Sequence, residues 1–207
     1  MDLSIAVPIF FATRLAKEEG IKVMLSGQGA DEIFGGYFKY EKVTIENGHS
    51  YLHDKLWEDV LNLSSKNLER DDAASMANAI EVRYPFLDVN FINYAMRIPP
   101  EFKIKLDSKE PRKHILRLIA KNIGLPDEII YRPKIAAQFG SGSQKEIERI
   151  ANSKKIVRTL MRKYGVRNTS LLYIEILGHF VGIPVESAQF SMIIDYLNKM
   201  NISPKIL

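Results

Sequence analysis

Apolar and polar residues recur with helical spacing along most of this 207-residue chain. Over residues 2–19, Ile9, Phe10, Ala12, Leu15 and Ala16 share one broad apolar face. Pro8 falls in a tolerable first turn, and Gly20 supplies a stop. The rhythm breaks at residues 22–25, where Val23-Met24-Leu25 is too brief for a helix. It reads as a strand buried on both faces of a parallel sheet. Helices follow over residues 38–45 and 51–63, parted by Asn47-Gly48. A further helix is expected over 68–80, where Leu68, Ala73, Met76, Ala77 and Ile80 align. Prolines 85, 99 and 100 leave 88–96 as the next helix, and Pro111 opens one that runs to about 122 and stops at Gly124. Residues 129–143 read as extended or loop, ending in Gly-Ser-Gly-Ser. The tail divides into helical segments at 144–151, 156–164, 170–180 and 187–200. The pattern predicts a mainly α fold with very few strands, parallel if paired.

Composition narrows the classes. A hydrophobic share of 46% supports a packed core and excludes a disordered chain. With no cysteine, disulfides, thiolate metal sites and thiol nucleophiles are excluded. The net charge of +4 comes from scattered cations, with small clusters at Lys154-Lys155 and Arg162-Lys163, and reads as a solvated face with no nucleic-acid partner. No run is long enough to span a bilayer. The apolar residues 5–12 lack a preceding basic segment and contain Pro8, so neither a membrane anchor nor a signal peptide is expected, and the cytoplasm is. The four histidines have no metal-ligand spacing.

Chemistry concentrates in residues 22–40, KVMLSGQGADEIFGGYFKY. A strand, then Ser26-Gly27-Gln28-Gly29, then a short helix from Ala30 is the order in which α/β proteins place a ligand at a strand's carboxyl end. Gly27 and Gly29 let backbone turn and approach a ligand closely, and the helix start favours an anion. The residues alone also fit an ordinary strand-to-helix turn, with Asp31 and Glu32 merely complementing the helix dipole.

The surrounding residues say more. LSGQGADEIFGGY (25–37) closely resembles the LSG-x-G-[AS]-DE-[LIV]-FGGY signature of the asparagine synthetase family, within its ATP-using domain. SMANAIEVRYPFLD (75–88), KHILR (113–117), Leu125-Pro126 and RPKIAAQFGSG (132–142) follow in that family's order, so the resemblance covers roughly residues 2–143. It implies the second half of an α/β synthetase domain of the adenine-nucleotide α-hydrolase type over 1–143, with a helical extension over 144–207. It further implies adenylation of the β-carboxylate of aspartate by ATP with Mg²⁺, then amination by ammonia. Ser26 and Gly27 would contact adenosine, Gly29 would belong to the same ATP-binding turn, Asp31 would serve magnesium and pyrophosphate, Lys134 would be the catalytic lysine, and Gln28 would occupy a second catalytic position. Gln28 stands where synthetases often carry Glu or Asp, which leaves aspartate as substrate open. Glu32 is expected to partner a nearby cation; Arg83 has the planar fork to pair with Glu32 or a substrate carboxylate, but beside the packing corner Pro85-Phe86-Leu87 a structural role is favoured for it.

The family's upstream pyrophosphate loop, SGG-x-DS, does not occur in this sequence. The chain is therefore expected to be inactive alone, with its lone strand unpaired and driving self-association or pairing with a polypeptide that carries the loop. Two other readings stay open: a non-catalytic interaction module, and a paralogue adenylating a different carboxylate.

Overall fold

The computed structural model describes residues 3–108, 110–168, 172, 173 and 188–199. The chain divides into two compact units, one of residues 13–135 with Met1, the other of residues 2–12 and 136–207. The first unit contains the turn at 26–29 and is built mainly of helices. These are α1 (Ala6–Glu18, from Thr13 onward), α2 (Ala30–Phe34), α3 (Phe38–Leu61), α4 (Glu69–Met76), α5 (Val89–Met96), α6 (Pro100–Lys103), α7 (His114–Asn122) and α8 (Asp127–Ile130).

Two strands, β1 (Val23–Leu25) and β2 (Glu81–Arg83), pair in parallel with Val23 opposite Glu81 and Leu25 opposite Arg83. The expectation of an unpaired strand is thus corrected. β2 escaped the sequence reading because Glu-Val-Arg carries one apolar residue and follows a helical pattern. The helix expected to run to Ile80 ends at Met76, and Ala79 at φ 58 turns the chain into the strand. β1 also departs from the fully buried strand expected of it. Leu25 is 72% exposed and Val23 39%.

The core that holds the site consists of Ile33, Phe34, Tyr40, Leu52, Leu56, Ala95, Met96 and Ile104, all nearly inaccessible. Phe34, Phe86 and Phe91 meet edge to face with centroids 5.6–6.2 Å apart, the geometry that ring quadrupoles favour. These contacts fix α2, which is only five residues long and needs packing rather than propensity to exist. The break expected at Asn47-Gly48 is a kink inside α3, where Gly48 adopts φ 81. Asp88 caps α5 by accepting the Phe91 N–H at 3.0 Å. The helix expected from Pro111 begins only at His114, because Lys113 sits in the left-handed region at φ 52.

The second unit packs α10 (Ser143–Ser153), α11 (Lys155–Tyr164) and α12 (Ala188–Lys199) around Ala151, Val157, Leu160, Leu172, Ile193, Ile194 and Leu197. A short α9 (Ala137–Gly140) precedes them. With α8 it replaces part of the loop expected over 129–143. The helix expected at 170–180 lies outside the described residues apart from Leu172 and Tyr173, as do residues 187 and 200 of the final one. No helix among the described residues is long and apolar enough to cross a membrane.

Candidate active site

Leu25 ends β1, and the next residue is already committed to the turn: the Ser26 N–H donates to Arg83 C=O at 2.9 Å, prolonging the ladder. The Ser26 hydroxyl accepts the Gln28 N–H at 3.3 Å and closes the turn locally. Gly29 starts α2 at φ 90, and a Cβ there would overlap the Leu87 side chain. Gly27 differs: a Cβ on it would meet nothing within 4 Å, so this part of the turn faces open space. The Gln28 side chain is half-buried and forms no hydrogen bond among the described residues.

One turn further, Asp31 is the electrostatic centre. Its Oδ1 lies 2.8 Å from Lys113 Nζ and its Oδ2 lies 2.9 Å from Lys134 Nζ, with the carboxylate side chain 14% exposed. Burial alone would push the carboxyl up. The two ammonium groups outweigh it and hold Asp31 below the usual carboxylate range. Gly36, the second glycine of FGGY, makes this approach feasible, since a Cβ there would overlap Asp31 Oδ1 and Lys113 Cε. Lys134 Nζ also lies 5.9 Å from the centroid of the Tyr37 ring.

Arg117 sets both lysine-bearing segments. Its Nε donates to Arg112 C=O at 3.0 Å, and its guanidinium also donates to the carbonyls of Ile130 and Arg132. Arg112 donates to Gly36 C=O at 3.5 Å and lies 3.7 Å from Glu41. A cavity of about 390 Å³ opens beside this network, with Lys113, Arg117, Arg132 and Lys134 in its wall and no acidic residue among its lining. Its charge suits an anion.

Glu32 faces elsewhere. Its Oε1 accepts from the Tyr37 hydroxyl at 2.8 Å and from Asn67 Nδ2 at 3.2 Å. Neutral donors therefore replace the cation expected at Glu32. Arg83 is corrected likewise, for it pairs with Glu81 at 2.6 Å on the surface. Burial raises the Glu32 carboxyl above its ordinary range despite the Tyr37 bond.

Of the residues singled out in the sequence, Asp31 and Lys134 meet directly, though 103 positions apart. Ser26, Gly27, Gln28 and Gly29 share the turn that precedes them. Lys113, Arg117 and Tyr37 were quoted within motifs but given no role. Their signal was present in KHILR and FGGY, yet only the fold reveals that they converge on Asp31 and Lys134. No group of three or more His, Asp or Glu side chains that could hold a metal occurs among the described residues.

A parallel strand leading through a glycine turn to a helix start, with a lysine-clamped carboxylate beside it, is the arrangement in which α/β proteins place a ligand at strand carboxyl ends. Comparison with known proteins then fixes the family. The asparagine synthase profile matches residues 2–49 and 44–193. A Methanocaldococcus jannaschii protein bearing the name of a glutamine-hydrolysing asparagine synthetase is 42% identical over 180 residues, covering 73% of this chain and 33% of that one. The Pisum sativum root asparagine synthetase (glutamine-hydrolysing) is 38% identical over 141 residues, covering 66% and 23%. An asparagine synthetase domain-containing protein of Saccharomyces cerevisiae is 39% identical over 158 residues, covering 70% and 28%. The chain belongs to the asparagine synthase family. It spans roughly a quarter to a third of the length of these curated relatives.

Proposed function

We propose that this chain supplies the lysine-bearing half of an ATP-dependent amide-forming site, in which a carboxylate, that of aspartate by family resemblance, is adenylated and then aminated. The carboxylate oxygen bonds to the α-phosphorus as pyrophosphate departs. Ammonia next bonds to the acyl carbon as AMP departs, and one proton is released. Splitting amide formation in this way replaces a poor leaving group with a good one. The observation that carries the reading is the Lys113–Asp31–Lys134 bridge beside an acid-free basic cavity. Two ammonium groups on one buried carboxylate are poised to transfer to an incoming polyphosphate, where they stabilise charge that grows as pyrophosphate leaves.

Asp31 fits Mg²⁺, which takes one or two carboxylates when phosphate oxygens complete its shell. The ion would neutralise phosphate charge. For Asp31 to hold it, at least one lysine must turn from the carboxylate towards phosphate, an exchange that conserves the site's charge pairing. Ser26 and the open face of Gly27 would receive adenosine.

The SGG-x-DS half would come from another polypeptide segment docked against β1. Among the described residues β1 pairs on one side only, and Leu25 and Val23 are exposed beside it. A non-catalytic binding module is the second reading. It is favoured by Gln28, which places an uncharged amide where synthetases often carry a carboxylate.

Calorimetry of pyrophosphate with the isolated chain tests the main reading. Lys113→Met and Lys134→Met should each weaken Mg²⁺-free binding roughly tenfold. Asp31→Asn should strengthen it, by freeing both lysines. Unchanged affinity in all three variants would sink the proposal.

A further inference from the structure

We infer that a cavity between α3, α5 and α6 binds a small organic carboxylate that carries no amino group. The cavity measures about 280 Å³, and no acidic residue is among its lining. It shares no residue with the basic cavity beside Asp31, so the inference does not rest on the amide-forming reaction. Glu101, the acid that follows Pro100 in the chain, lines a different cavity.

The polar groups of the wall are donors in want of an acceptor. On α3, His53 Nδ1 is buried with no hydrogen-bond partner among the described residues. Such an unpaired atom costs more than an average hydrogen bond gains, and the tautomer with its proton on Nδ1 makes it a donor. Trp57, Asn93 and Arg97 also line the cavity. The indole N–H, the amide and the guanidinium have no partner among the described residues. Indole and guanidinium can only donate.

A second cation lies behind the wall. Met96 lines the cavity, and its Sδ takes Lys103 Nζ at 3.5 Å. Lys103 is fully buried and has no carboxylate partner among the described residues. A thioether is a weak acceptor, so the ammonium charge stays almost uncompensated one side chain from an acid-free space. With Arg97 in the wall, two cations that lack a counter-ion among the described residues favour an anion beside them, the more so away from bulk water.

The rest of the wall selects the body of that anion. Trp57, Met96, Ile98 and the two prolines, 99 and 100, offer apolar surface that a bare inorganic anion leaves uncovered and a hydrocarbon group fills. The planar fork of Arg97 matches the two oxygens of a carboxylate. An α-amino acid is disfavoured, because its ammonium finds no acid in the lining and meets Arg97.

Trp57 is the single tryptophan of the chain, so its fluorescence reports on this cavity directly. Benzoate titrated into the full chain should change that emission saturably, with benzamide and inorganic phosphate binding at least tenfold more weakly. Arg97→Gln, at an exposed position, should weaken benzoate at least tenfold, and Lys103→Met should weaken it less. Pyrophosphate, followed by calorimetry, should bind equally with and without saturating benzoate, which keeps this result separate from the reading of the Asp31 site. Benzamide or phosphate matching benzoate, unchanged benzoate affinity in Arg97→Gln, or displacement of benzoate by pyrophosphate would overturn the inference. So would the lack of any saturable response to millimolar benzoate in both fluorescence and calorimetry.

Discussion

Asp31 and Glu32 are neighbours on a five-residue helix, yet they inhabit opposite environments. Asp31 is met by two lysines from remote segments and is held ionised. Glu32 is met by a phenol and an amide, keeps one oxygen without a partner among the described residues, and is pushed towards its protonated form. Consecutive helix positions point about 100° apart. One helix can therefore serve two cavities of different character, a cationic one beside Asp31 and one of mixed charge beside Glu32, lined also by Lys39 and Asp59. Burial is common to both carboxyls, so proximity to fixed charge decides which way each titrates.

The largest break in this comparison should come from Gly36→Ala. Gly36 has no positive φ, so its requirement is purely steric: the new methyl must displace Asp31 Oδ1 or Lys113 Cε. Separating a buried carboxylate from its cation costs about 3 kcal/mol. A denaturant midpoint reduced by that amount, with pyrophosphate binding lost, is expected. Tolerance of the methyl would mean that the Asp31–Lys113 pair contributes little.

Lys103 sharpens the contrast from the cation's side. It is fully buried, its Nζ reaches only Met96 Sδ at 3.5 Å, and burial pushes its ammonium down to about 8. Unlike Lys113 and Lys134, it has no carboxylate partner among the described residues. Its folded pKa lies below the unfolded value of 10.5, so the unfolded chain binds more protons between these limits. Stability should accordingly rise as pH increases from about 8 towards 10.5. Lys103→Met should stabilise the chain by about 2 kcal/mol at pH 7 and abolish that rise. Chemical denaturation across this window measures both effects.

The carboxylates give a smaller, two-signed pH signature. Asp31 has a lowered folded pKa, so its stabilisation is present above its unfolded value of 3.8 and is lost as pH falls through the folded value. Glu32 has a raised folded pKa. The folded chain then holds the extra proton, and stability falls as pH rises from 4.5 through the raised value. Glu32→Gln should flatten only the descending limb and Asp31→Asn only the ascending one. Identical profiles for the two variants would show that the neighbours do not differ as described.

How far these features were legible in the sequence follows from their range. Asp31 and Lys134 were found through motifs, and the turn at 26–29 through its glycines and the strand before it. The strand at 81–83 was hidden because only Val82 is apolar there, and it pairs with β1 residues 58 positions earlier. The role of Lys113 was hidden for a related reason. A left-handed, non-glycine residue ahead of α7 has no local sequence signal, yet this conformation accompanies the delivery of its ammonium to Asp31. Local periodicity reports which residues face a core, and says little about which charges a fold brings together.

The smallest expected effect on stability is also the most discriminating for the site. Gly27 and Gly36 both belong to the signature stretch, but a Cβ on Gly27 meets nothing and its φ is not positive. If Gly27 serves the fold, Gly27→Ala should destabilise the chain. With no clash and no strain to create, it should instead change stability by less than about 0.5 kcal/mol, since a lost glycine also restricts the unfolded chain. If Gly27 keeps the turn open for a sugar and base, the methyl occupies that space, and adenosine or ATP affinity should fall roughly tenfold, about 1.4 kcal/mol. Thermal unfolding and calorimetry on the same variant separate the two roles. Unaltered adenosine binding at unaltered stability would remove Gly27 from the site and leave the nucleotide to the basic cavity alone.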